Sequence, residues 1–359
     1  MTTALSNPVV AGTCITFPRN RYAHDELTAT LAADSGLSPA SVRRVVKFHQ
    51  AFGIATRHLA LPVEQYKHVS SLTRANDLFL EIGVELAEEA LMTALSKAGV
   101  AANEVDLVVT TSSTGLAVPP LDARLARRVG FRSDIKRMPL FGLGCTGAGT
   151  GIGRLYDYLR AWPDHVAVLL TVELNSLTKR PDRSSVADLV IASLFGDAVG
   201  AVVACGAARS NTAPLTGPRL IAASSRLYPE AAHLSGARIG SDGFELTLSD
   251  QLPALVEENI GDAVGSFLAS HQLLIPDVAT WVCNSAHPDV MDAVERALGL
   301  PAAALLHSRE SLAAAGSITA AGVIDILQRT THSTTPSNAP GLLLSTGPGF
   351  SCDMVLFRY

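Results

Sequence analysis

The sequence predicts an α/β protein built from two similar halves. Strand-like apolar runs at 105–111, 165–171 and 198–204 alternate with helix-like segments, which is typical of this fold class. A second observation is a loose internal repeat, in which 277–286 echoes 104–113. A third is bulk composition, because 359 residues with 48% hydrophobic content can bury a large core and exclude general disorder.

The longest predicted helix precedes these strands and covers 77–98. Its apolar residues recur at helical spacing, and glutamates occupy positions between them. This is the pattern of an amphipathic helix with one face against the core. We therefore interpret it as scaffold and expect no site residue on it.

The internal repeat also predicts the order of the remaining elements along the chain. In each half the echoed strand runs into small polar residues and is followed by a glycine-rich turn, at Gly144 and at Gly316. A further strand comes next, at 165–171 and at 341–346. A repeated order of this kind indicates duplicated halves with the active site between them.

The two halves are predicted to meet within 206–218. Alanine, serine, asparagine, threonine and proline concentrate there, and the strand pattern lapses. We accordingly divide the chain into an N-terminal half, residues 1–210, and a C-terminal half, residues 211–359.

The most informative stretch is 142–151, where Cys145 is surrounded by residues too small to shield its thiol. An apolar run gives way to a helix-like segment at this point. A thiol at a helix N-terminus faces unpaired backbone N–H groups, so we expect the pKa of Cys145 to be lowered. The pattern predicts a nucleophile for acyl chemistry. A buried structural cysteine in a tightly packed glycine-rich helix is the alternative.

The same glycines, Gly142, Gly144 and Gly147, match the dinucleotide-binding pattern G-x-G-x-x-G. That site requires the pattern after a first strand, with an acidic residue about 20 positions on at the end of a second strand. Here the preceding apolar run is short, and the later acid, Asp164, sits in a turn before the next strand. Nicotinamide binding is therefore disfavoured.

The charge distribution argues against a nucleic-acid partner. The net charge is −5 at pH 7, and lysine and arginine form no basic stripe. One N-terminal stretch holds four cations, Arg43, Arg44, Lys47 and Arg57. It is either a solvated helix face or a binding site for a phosphorylated cofactor.

The five cysteines are dispersed without CxxC spacing, which argues against a disulfide framework and against a zinc site. We expect no bound metal and a reducing, cytoplasmic location. The N-terminus lacks a basic segment followed by an apolar core, and no run approaches the roughly 18 apolar residues of a membrane helix. We therefore expect neither export nor a membrane span.

A cysteine nucleophile needs a base or charge partner, most often a histidine. Among ten histidines His287 stands out, because it follows the predicted strand 280–284 and precedes Pro288. It is thereby placed on a loop at the C-terminal edge of a strand, where sheet proteins bind ligands. A satisfied surface or core histidine is the alternative.

Five motifs occur in order along the chain: Gly144-Cys145, Leu194-Phe195-Gly196-Asp197, His287-Pro288, Gly316-Ser317-Ile318-Thr319-Ala320-Ala321 and Gly347-Pro348-Gly349-Phe350. In these the sequence resembles the type III polyketide synthases, the chalcone synthase-like family. The resemblance runs from about Val9 to Tyr359 and is closer to the bacterial branch with alkylresorcinol and alkylpyrone synthases than to the plant enzymes. It implies a thiolase-like fold, a duplicated αβαβα architecture of five layers, and a homodimer.

The resemblance also implies roles for single residues. Cys145 matches the nucleophile that accepts a starter acyl group from coenzyme A, and His287 matches the histidine that pairs with the thiolate and steadies the malonyl thioester. The implied substrate pocket has Phe195 as its gatekeeper aromatic and also contains Thr178, Leu246 and, reaching across from a partner subunit, Val118. We add Thr319 to this pocket as a candidate second hydroxyl beside Ser317. Coenzyme A phosphates are held at positions that match Arg57, Lys47 and Arg43, and Arg suits this through charge-assisted forks.

One departure concerns the third catalytic position. Where the family has asparagine in a Gly-Asn pair, this chain has Gly316-Ser317. In the family the asparagine amide and the histidine donate to the malonyl thioester oxygen, whereas serine is shorter and offers one donor. Loss of one such donor costs about 10²–10³ in rate. Decarboxylation with a water in place of the amide, slow decarboxylation, and loss of decarboxylation all remain open.

We therefore interpret the protein as a type III polyketide synthase-like acyltransferase whose catalytic residues are Cys145, His287 and Ser317. Its substrates are expected to be acyl-CoA and malonyl-CoA, with no permanently bound cofactor, and an acyl carrier protein is a further candidate partner. The expected product is a pyrone, a resorcinol or a short β-keto compound. The alternatives are a non-decarboxylating acyltransferase and a catalytically weak partner subunit, and the intact Cys145 and His287 count against the latter.

Overall fold

A computed structural model describes residues 7–34, 38–178, 193–210, 216–240, 243–284, 287–331 and 338–359. Its strands are β1 Val9–Thr16, β2 Asn20–Ala23, β3 Thr56–Leu59, β4 Leu107–Ser112, β5 Lys136–Phe141, β6 Val166–Leu174, β7 Asp197–Cys205, β8 Arg219–Leu227, β9 Ser235–Gly240, β10 Gly243–Leu248, β11 Thr280–Cys283, β12 Pro340–Gly347 and β13 Ser351–Arg358. The helices are α1 His24–Asp34, α2 Pro39–Ala51, α3 Leu72–Ala98, α4 Leu121–Val129, α5 Gly147–Ala161, α6 Ala207–Ser210, α7 Leu252–Ala269, α8 Pro288–Leu298, α9 Leu306–Ala315 and α10 Ala320–Thr331.

Nine strands form one mixed sheet in the order β11-β12-β13-β8-β1-β7-β6-β4-β5. On one side of the centre β1 pairs antiparallel with β7, β7 antiparallel with β6, and β6 parallel with β4. On the other side β8, β13, β12 and β11 follow the same sequence of antiparallel, antiparallel and parallel pairs. The two halves meet at a single antiparallel pair, Val9 with Arg219. The duplication predicted from the repeat is therefore present in the sheet.

The helices form layers around these strands. Apolar residues of α3 share one core with β4, β6 and β7. Residues of α5 and α10 share a second core with strands of both halves, and residues of α7 and α8 share a third with β11, β12 and β13. Because the sheet is continuous only through the Val9–Arg219 pair, its two halves form separate strand layers on either side of α5 and α10. The order helix, strand, helix, strand, helix is the duplicated five-layer architecture expected from the resemblance.

The strands echoed in the sequence, β4 and β11, hold equivalent places beside β6 and β12. Residues 285 and 286 at the end of the second echo lie outside the described residues, as do 211–215 within the predicted junction. The division into 1–210 and 211–359 stays a prediction.

The helix predicted over 77–98 is α3, which begins five residues earlier than expected. Ser71 caps it, because its hydroxyl accepts a hydrogen bond from the backbone N–H of Arg74 at 3.2 Å. The helix ends at Gly99, whose φ of +64° is the left-handed conformation that glycine adopts without strain. As predicted, one face of α3 is buried along its length.

Candidate active site

A cavity of about 200 Å³ lies where the C-terminal ends of β4, β6 and β12 meet. Cys145 and His287 are both on its wall. Most of the lining is apolar, and a few hydroxyl and amide groups interrupt it. A largely apolar pocket with few polar groups is the usual form of a small-molecule site.

Cys145 lies in a 3₁₀ turn, Gly144–Thr146, that leads into α5. Gly144 has φ +51°, and a Cβ there would lie 2.6 Å from Cγ of Pro348, so only glycine fits. The thiol is half-buried, whereas the other four cysteines are buried. The turn therefore presents this one thiol to the cavity, as the glycine-rich pattern predicts.

The ionisation of Cys145 differs from the expectation. Burial and, to a smaller extent, the nearby Glu173 carboxyl raise the pKa of the thiol to about 12, while the side-chain amide of Asn284 acts to lower it. The prediction of a lowered pKa was wrong, because removal of the thiolate from water outweighs the hydrogen-bond donors around it. At neutral pH the free protein holds a thiol here.

The glycines of the turn and of α5 serve close packing. A Cβ on Gly147 would lie 2.7 Å from Oγ1 of Thr111, and one on Gly149 would overlap Oγ of Ser345. Glycine at these two positions therefore lets Thr111 and Ser345 pack directly against the backbone of α5.

His287 is the N-cap of α8, directly beside the cavity. Its Nδ1 accepts a hydrogen bond from the backbone N–H of Asp289 at 3.1 Å, and the ring of Phe52 packs edge-on at 5.2 Å. Burial lowers the pKa of His287, and the carboxylates of Asp289 and Asp292 oppose this. In the neutral ring an accepting Nδ1 leaves the proton on Nε2. The histidine is therefore a hydrogen-bond donor at Nε2.

Ser317 is packed behind the cavity wall. Its backbone N–H donates to the carbonyl of Leu194 at 2.8 Å, and its own carbonyl accepts from Gly196 at 3.0 Å. The side chain is 1% exposed, and its hydroxyl has no hydrogen-bond partner within the described part of the chain. Thr319, two residues on, is the member of this segment that lines the cavity.

The other predicted pocket residues divide into two groups. Phe195, Thr178 and Leu246 all line the cavity. Val118 is 95% exposed on the outer surface of the same chain, where it could only contact another molecule. The reach of Val118 into a partner subunit stays a prediction.

Of the three predicted phosphate ligands, Arg57 is the one that the structure buries. It is 1% exposed, its Nη1 donates to the carbonyl of Phe195 at 3.1 Å, and the charge of Asp197 acts on it. A guanidinium enclosed in this way holds the Phe195 segment and is not open to a phosphate in solution. Arg43 and Lys47 are exposed on α2, as a phosphate site requires.

Sequence reasoning missed two polar residues next to the thiol. Glu173 is fully buried in β6, and its Oε2 accepts hydrogen bonds from Oγ and N of Ser113 at 3.0 and 3.2 Å. Burial raises the pKa of Glu173 to about 8. Asn284, directly after β11, is the second of these residues, and its amide acts to lower the pKa of Cys145. The sequence signal for Glu173 was a single acidic residue within the apolar run of β6. The signal for Asn284 was a polar residue at the end of the predicted strand 280–284.

Across the described residues, no group of three or more His, Cys, Asp or Glu side chains is arranged to hold a metal ion. No helix in the described ranges is long and apolar enough to cross a bilayer.

Two family models match the chain. The model for chalcone and stilbene synthases, N-terminal domain, matches residues 60–208, and the model for the C-terminal domain matches residues 219–359. Together they cover most of the sequence, including Cys145, His287 and Ser317.

Named relatives agree with these matches. A Streptomyces peucetius subsp. caesius protein named 1,3,6,8-tetrahydroxynaphthalene synthase is 45% identical over 98% of this chain and 93% of its own length. The alpha-pyrone synthesis polyketide synthase-like protein Pks18 of Mycobacterium tuberculosis is 26% identical over 97% and 90% of the two chains. The first is named as a synthase and the second as polyketide synthase-like, which does not favour a plain acyltransferase.

Solved structures resemble the model over nearly its whole length. A tetrahydroxynaphthalene synthase from Streptomyces coelicolor, described as a bacterial type III polyketide synthase, superimposes with a TM-score of 0.92 at 25% identity and covers 98% of this chain and 99% of that one. PKS-I from the brown alga Ectocarpus siliculosus has a TM-score of 0.92 at 23% identity, with full coverage of both chains, and supports the fold alone.

Proposed function

The chain belongs to the chalcone and stilbene synthase family, the type III polyketide synthases, and on this premise we propose that Cys145 carries the growing chain while His287 holds the thioester that extends it. The observation that carries this assignment is the presence of Cys145 and His287 on the wall of one apolar cavity. Acyl-CoA and malonyl-CoA are the substrates, and no resident cofactor takes part.

The first half-reaction transfers the starter acyl group. Cys145 Sγ attacks the thioester carbonyl, the bond from that carbon to the coenzyme A sulfur breaks, and the thiol proton leaves with free coenzyme A. A backbone N–H near Cys145 faces the oxyanion that forms on the acyl group. Because the resting site holds a neutral thiol and a neutral imidazole, no buried ion pair has to be separated beforehand.

The second half-reaction makes the new carbon–carbon bond. The malonyl carboxylate leaves as CO₂, and its electron pair stays on the thioester as an enolate, whose oxygen accepts from Nε2–H of His287. The enolate carbon attacks the acyl group on Cys145, and the bond from that group to Sγ breaks. Cys145 is restored, and the coenzyme A thioester is two carbons longer.

The predicted role of Ser317 in this step has weak support from the geometry, because its hydroxyl is enclosed behind the wall. Thr319 offers a hydroxyl on the cavity surface and is the better placed of the two. We retain both as candidates, with Thr319 first.

Coenzyme A is proposed to lie along α2. Arg43, Arg44 and Lys47 are exposed there, and the ring of Phe48, 42% exposed, lies 5.9 Å from the Arg44 guanidinium. Cations suit the phosphates and an exposed ring suits the adenine face. Arg57, which is buried, is not part of this proposed phosphate-binding site.

A small aromatic polyketide is the proposed product class. The 45% identical relative is named for a naphthalene with hydroxyls at positions 1, 3, 6 and 8. Ten ring carbons with oxygens on alternate carbons are what five two-carbon units supply, and a cavity of about 200 Å³ suits a compact product better than a long alkyl chain.

Intact-protein and product mass spectrometry tests the proposal. The protein is incubated with a panel of acyl-CoAs, with and without malonyl-CoA labelled with ¹³C, and Cys145→Ala is the control. An acyl mass on Cys145, labelled CO₂, and products that grow by two carbons are expected. Acylation without any malonyl-derived product would contradict the synthase and leave only acyl transfer.

A further inference from the structure

Arg57 is a buried cation that the proposed reaction does not use. It lies on β3, and its guanidinium is enclosed with the buried carboxylate of Asp197, whose charge acts on it. Its Nη1 donates a hydrogen bond to the carbonyl of Phe195 at 3.1 Å. A buried charge is costly unless it is paired and hydrogen-bonded, so an arginine at this place calls for a reason.

The Phe195 carbonyl is left over by the backbone pairing around it. Phe195 forms a parallel bridge with Ser317, in which the N–H of Ser317 donates to the carbonyl of Leu194 at 2.8 Å and the N–H of Gly196 donates to the carbonyl of Ser317 at 3.0 Å. The carbonyl of Phe195 takes no part in this bridge and accepts from Arg57 instead. The arginine side chain thereby supplies a donor that a neighbouring strand would otherwise provide.

The stem of Arg57 packs on the other partner of the same bridge. A Cβ on Gly316 would lie 3.2 Å from both Cγ and Cδ of Arg57 and 2.8 Å from the carbonyl oxygen of Leu194. The methylene groups therefore lie against the backbone directly before Ser317, while the guanidinium holds Phe195. One side chain thus contacts both segments of the bridge.

The ring of Phe195 is on the cavity wall, and its backbone is fixed on both sides. Besides the bridge to Ser317, the carbonyl of Gly196 accepts from Nδ2 of Asn175 at 2.7 Å. The rotamers open to a side chain depend on its backbone dihedral angles. A backbone held at this many points therefore restricts the direction of the Phe195 ring.

We propose that Arg57 is a positioning residue: it fixes Phe195 in the cavity wall and thereby limits the size of the acyl group that can load on Cys145. The proposal rests on the proposed role of Cys145 as the residue that carries the acyl group. In a cavity of about 200 Å³ a wall aromatic held in place excludes long acyl chains. Without the hydrogen bond from Arg57 the ring moves aside more easily, and longer chains enter.

Acylation of Cys145 measures this selectivity without the condensation step. The full chain is incubated with acetyl-CoA or with dodecanoyl-CoA, without malonyl-CoA, and mass spectrometry follows the acyl mass on the protein. Arg57→Met keeps an unbranched stem against Gly316 but has no donor. It is expected to raise the ratio of the dodecanoyl to the acetyl loading rate about tenfold, and Phe195→Ala to raise the ratio at least as much.

The double variant distinguishes positioning from a merely structural role. When Phe195 is already alanine, Arg57→Met should leave the ratio unchanged, because the ring that Arg57 positions is absent. A purely structural arginine would instead lower both loading rates together. An unchanged ratio in folded Arg57→Met, or the same tenfold change in the Phe195→Ala background, would overturn the proposal.

Lys97→Met is the matched control. Nζ of Lys97 also donates to a backbone carbonyl, that of Thr13 at 2.9 Å, but Thr13 lies on β1 in the centre of the sheet. This variant loses a cation and its hydrogen bond to a strand and should keep the ratio of the unsubstituted protein. A rise equal to that of Arg57→Met would refute the specific role of Arg57.

Removal of the guanidinium leaves Asp197 buried without its counter-charge, so a second measurement covers a variant that does not fold. A crystal structure of the unsubstituted protein is expected to show Nη1 of Arg57 donating to the carbonyl of Phe195, and a guanidinium directed elsewhere refutes the proposal. The loading assay is also separate from the test of function. Selective acylation of Cys145 without any malonyl-derived product would contradict the synthase and leave the role of Arg57 intact.

Discussion

At the scale of one residue, Glu173 shows that burial in this site disfavours the charged form of a side chain. Its carboxyl is fully buried among β6 residues, and burial raises its pKa from 4.5 to about 8. An acid whose pKa rises on folding holds a proton in the folded state that the unfolded state has lost. Its contribution to stability is therefore complete below pH 4.5 and is lost as the pH rises toward 8.

We expect Glu173→Gln to be more stable than the unsubstituted protein at pH 8.5 and to lose this advantage near pH 5. The amide of glutamine is neutral at both values, so it avoids the cost of ionising a buried carboxyl. Thermal melts of both proteins across this pH range measure the difference. The exposed Glu64→Gln is the control, and a Glu173 difference that does not change with pH would contradict the prediction.

Ser317 allows a matched pair at the position where the family has asparagine. Its hydroxyl is buried without a partner in the described structure, so Ser317→Ala should change stability and turnover little. The longer side chain of Ser317→Asn extends from behind the wall toward the cavity. We expect it to raise the rate of CO₂ release from malonyl-CoA about tenfold or more, because an oxyanion donor is added.

Labelled CO₂ release from malonyl-CoA and melting temperature are measured on both variants. A faster rate in Ser317→Asn with an unchanged Ser317→Ala is the expected result. Equal rates in all three proteins would show that the pocket has adapted to serine and that the family amide has no place in it.

At the scale of an element, α5 holds its position because glycine occupies sites on it where no larger side chain would fit. A Cβ on Gly149 would overlap Oγ of Ser345, whereas one on Gly153, one turn later, would meet Cβ of Ala223 at an ordinary 3.4 Å. Gly149→Ala should lower the unfolding free energy by about 1–3 kcal/mol through overpacking. Gly153→Ala should be neutral or stabilising, because alanine favours the helix.

Denaturant unfolding of the two glycine variants distinguishes close packing from helix propensity. Gly149→Ala is expected to lower the free energy of unfolding, whereas Gly153→Ala in the same helix is expected to leave it unchanged or to raise it. Equal effects at both positions would mean that α5 can shift away from β12 and that the nucleophile turn is less tightly seated than described.

The exposed cations of α2 form a second element-scale test. The double charge reversal Arg43→Glu, Lys47→Glu should raise KM for acyl-CoA about tenfold, since two attractions to phosphate become repulsions. KM for acyl N-acetylcysteamine thioesters, which lack phosphates, should not change. Arg127→Glu on α4 is the control, and an equal loss with both substrate types would place the phosphates elsewhere.

The whole molecule exposes apolar side chains near the free edge of its sheet. Among the described residues β5 is the outermost strand on that side. Phe141 at its end is 49% exposed, and Leu116 and Val118, on the segment between the neighbouring β4 and α4, are 38% and 95% exposed. An unpaired strand edge beside apolar groups invites pairing with a second copy. We therefore expect a homodimer in which this edge is covered.

Sedimentation velocity is expected to give about twice the 37.6 kDa chain mass. Phe141→Asp, which places a charge on the strand edge, should shift the protein toward monomer, and Leu274→Asp is the control because it changes an equally apolar, 68% exposed residue elsewhere. A monomer in the unsubstituted protein would contradict the dimer, and with it the predicted reach of Val118 into a second pocket.

The local sequence pattern was enough to predict many of the strands, the buried face of α3 and two residues of the site. The alternation of apolar runs predicted the strands, the spacing of α3 predicted its buried face, and the echo of 104–113 in 277–286 predicted equivalent places in two halves. The small residues around Cys145 and the strand before His287 predicted both members of the site. These features depend on neighbours in sequence, so the periodicity of each segment determines them.

Other properties were decided only by contacts between distant segments. Arg57 looks like a surface cation in sequence, yet the packing of β3 against the Phe195 segment encloses it. Ser317 occupies the catalytic motif but lies behind the wall, and the Asn284 amide is fixed by two hydrogen bonds to Thr346 on another strand. The pKa of Cys145 rises because the assembled halves exclude water from the thiol. Burial and charge at a site are sums over everything that surrounds it, and only the tertiary structure brings those groups together.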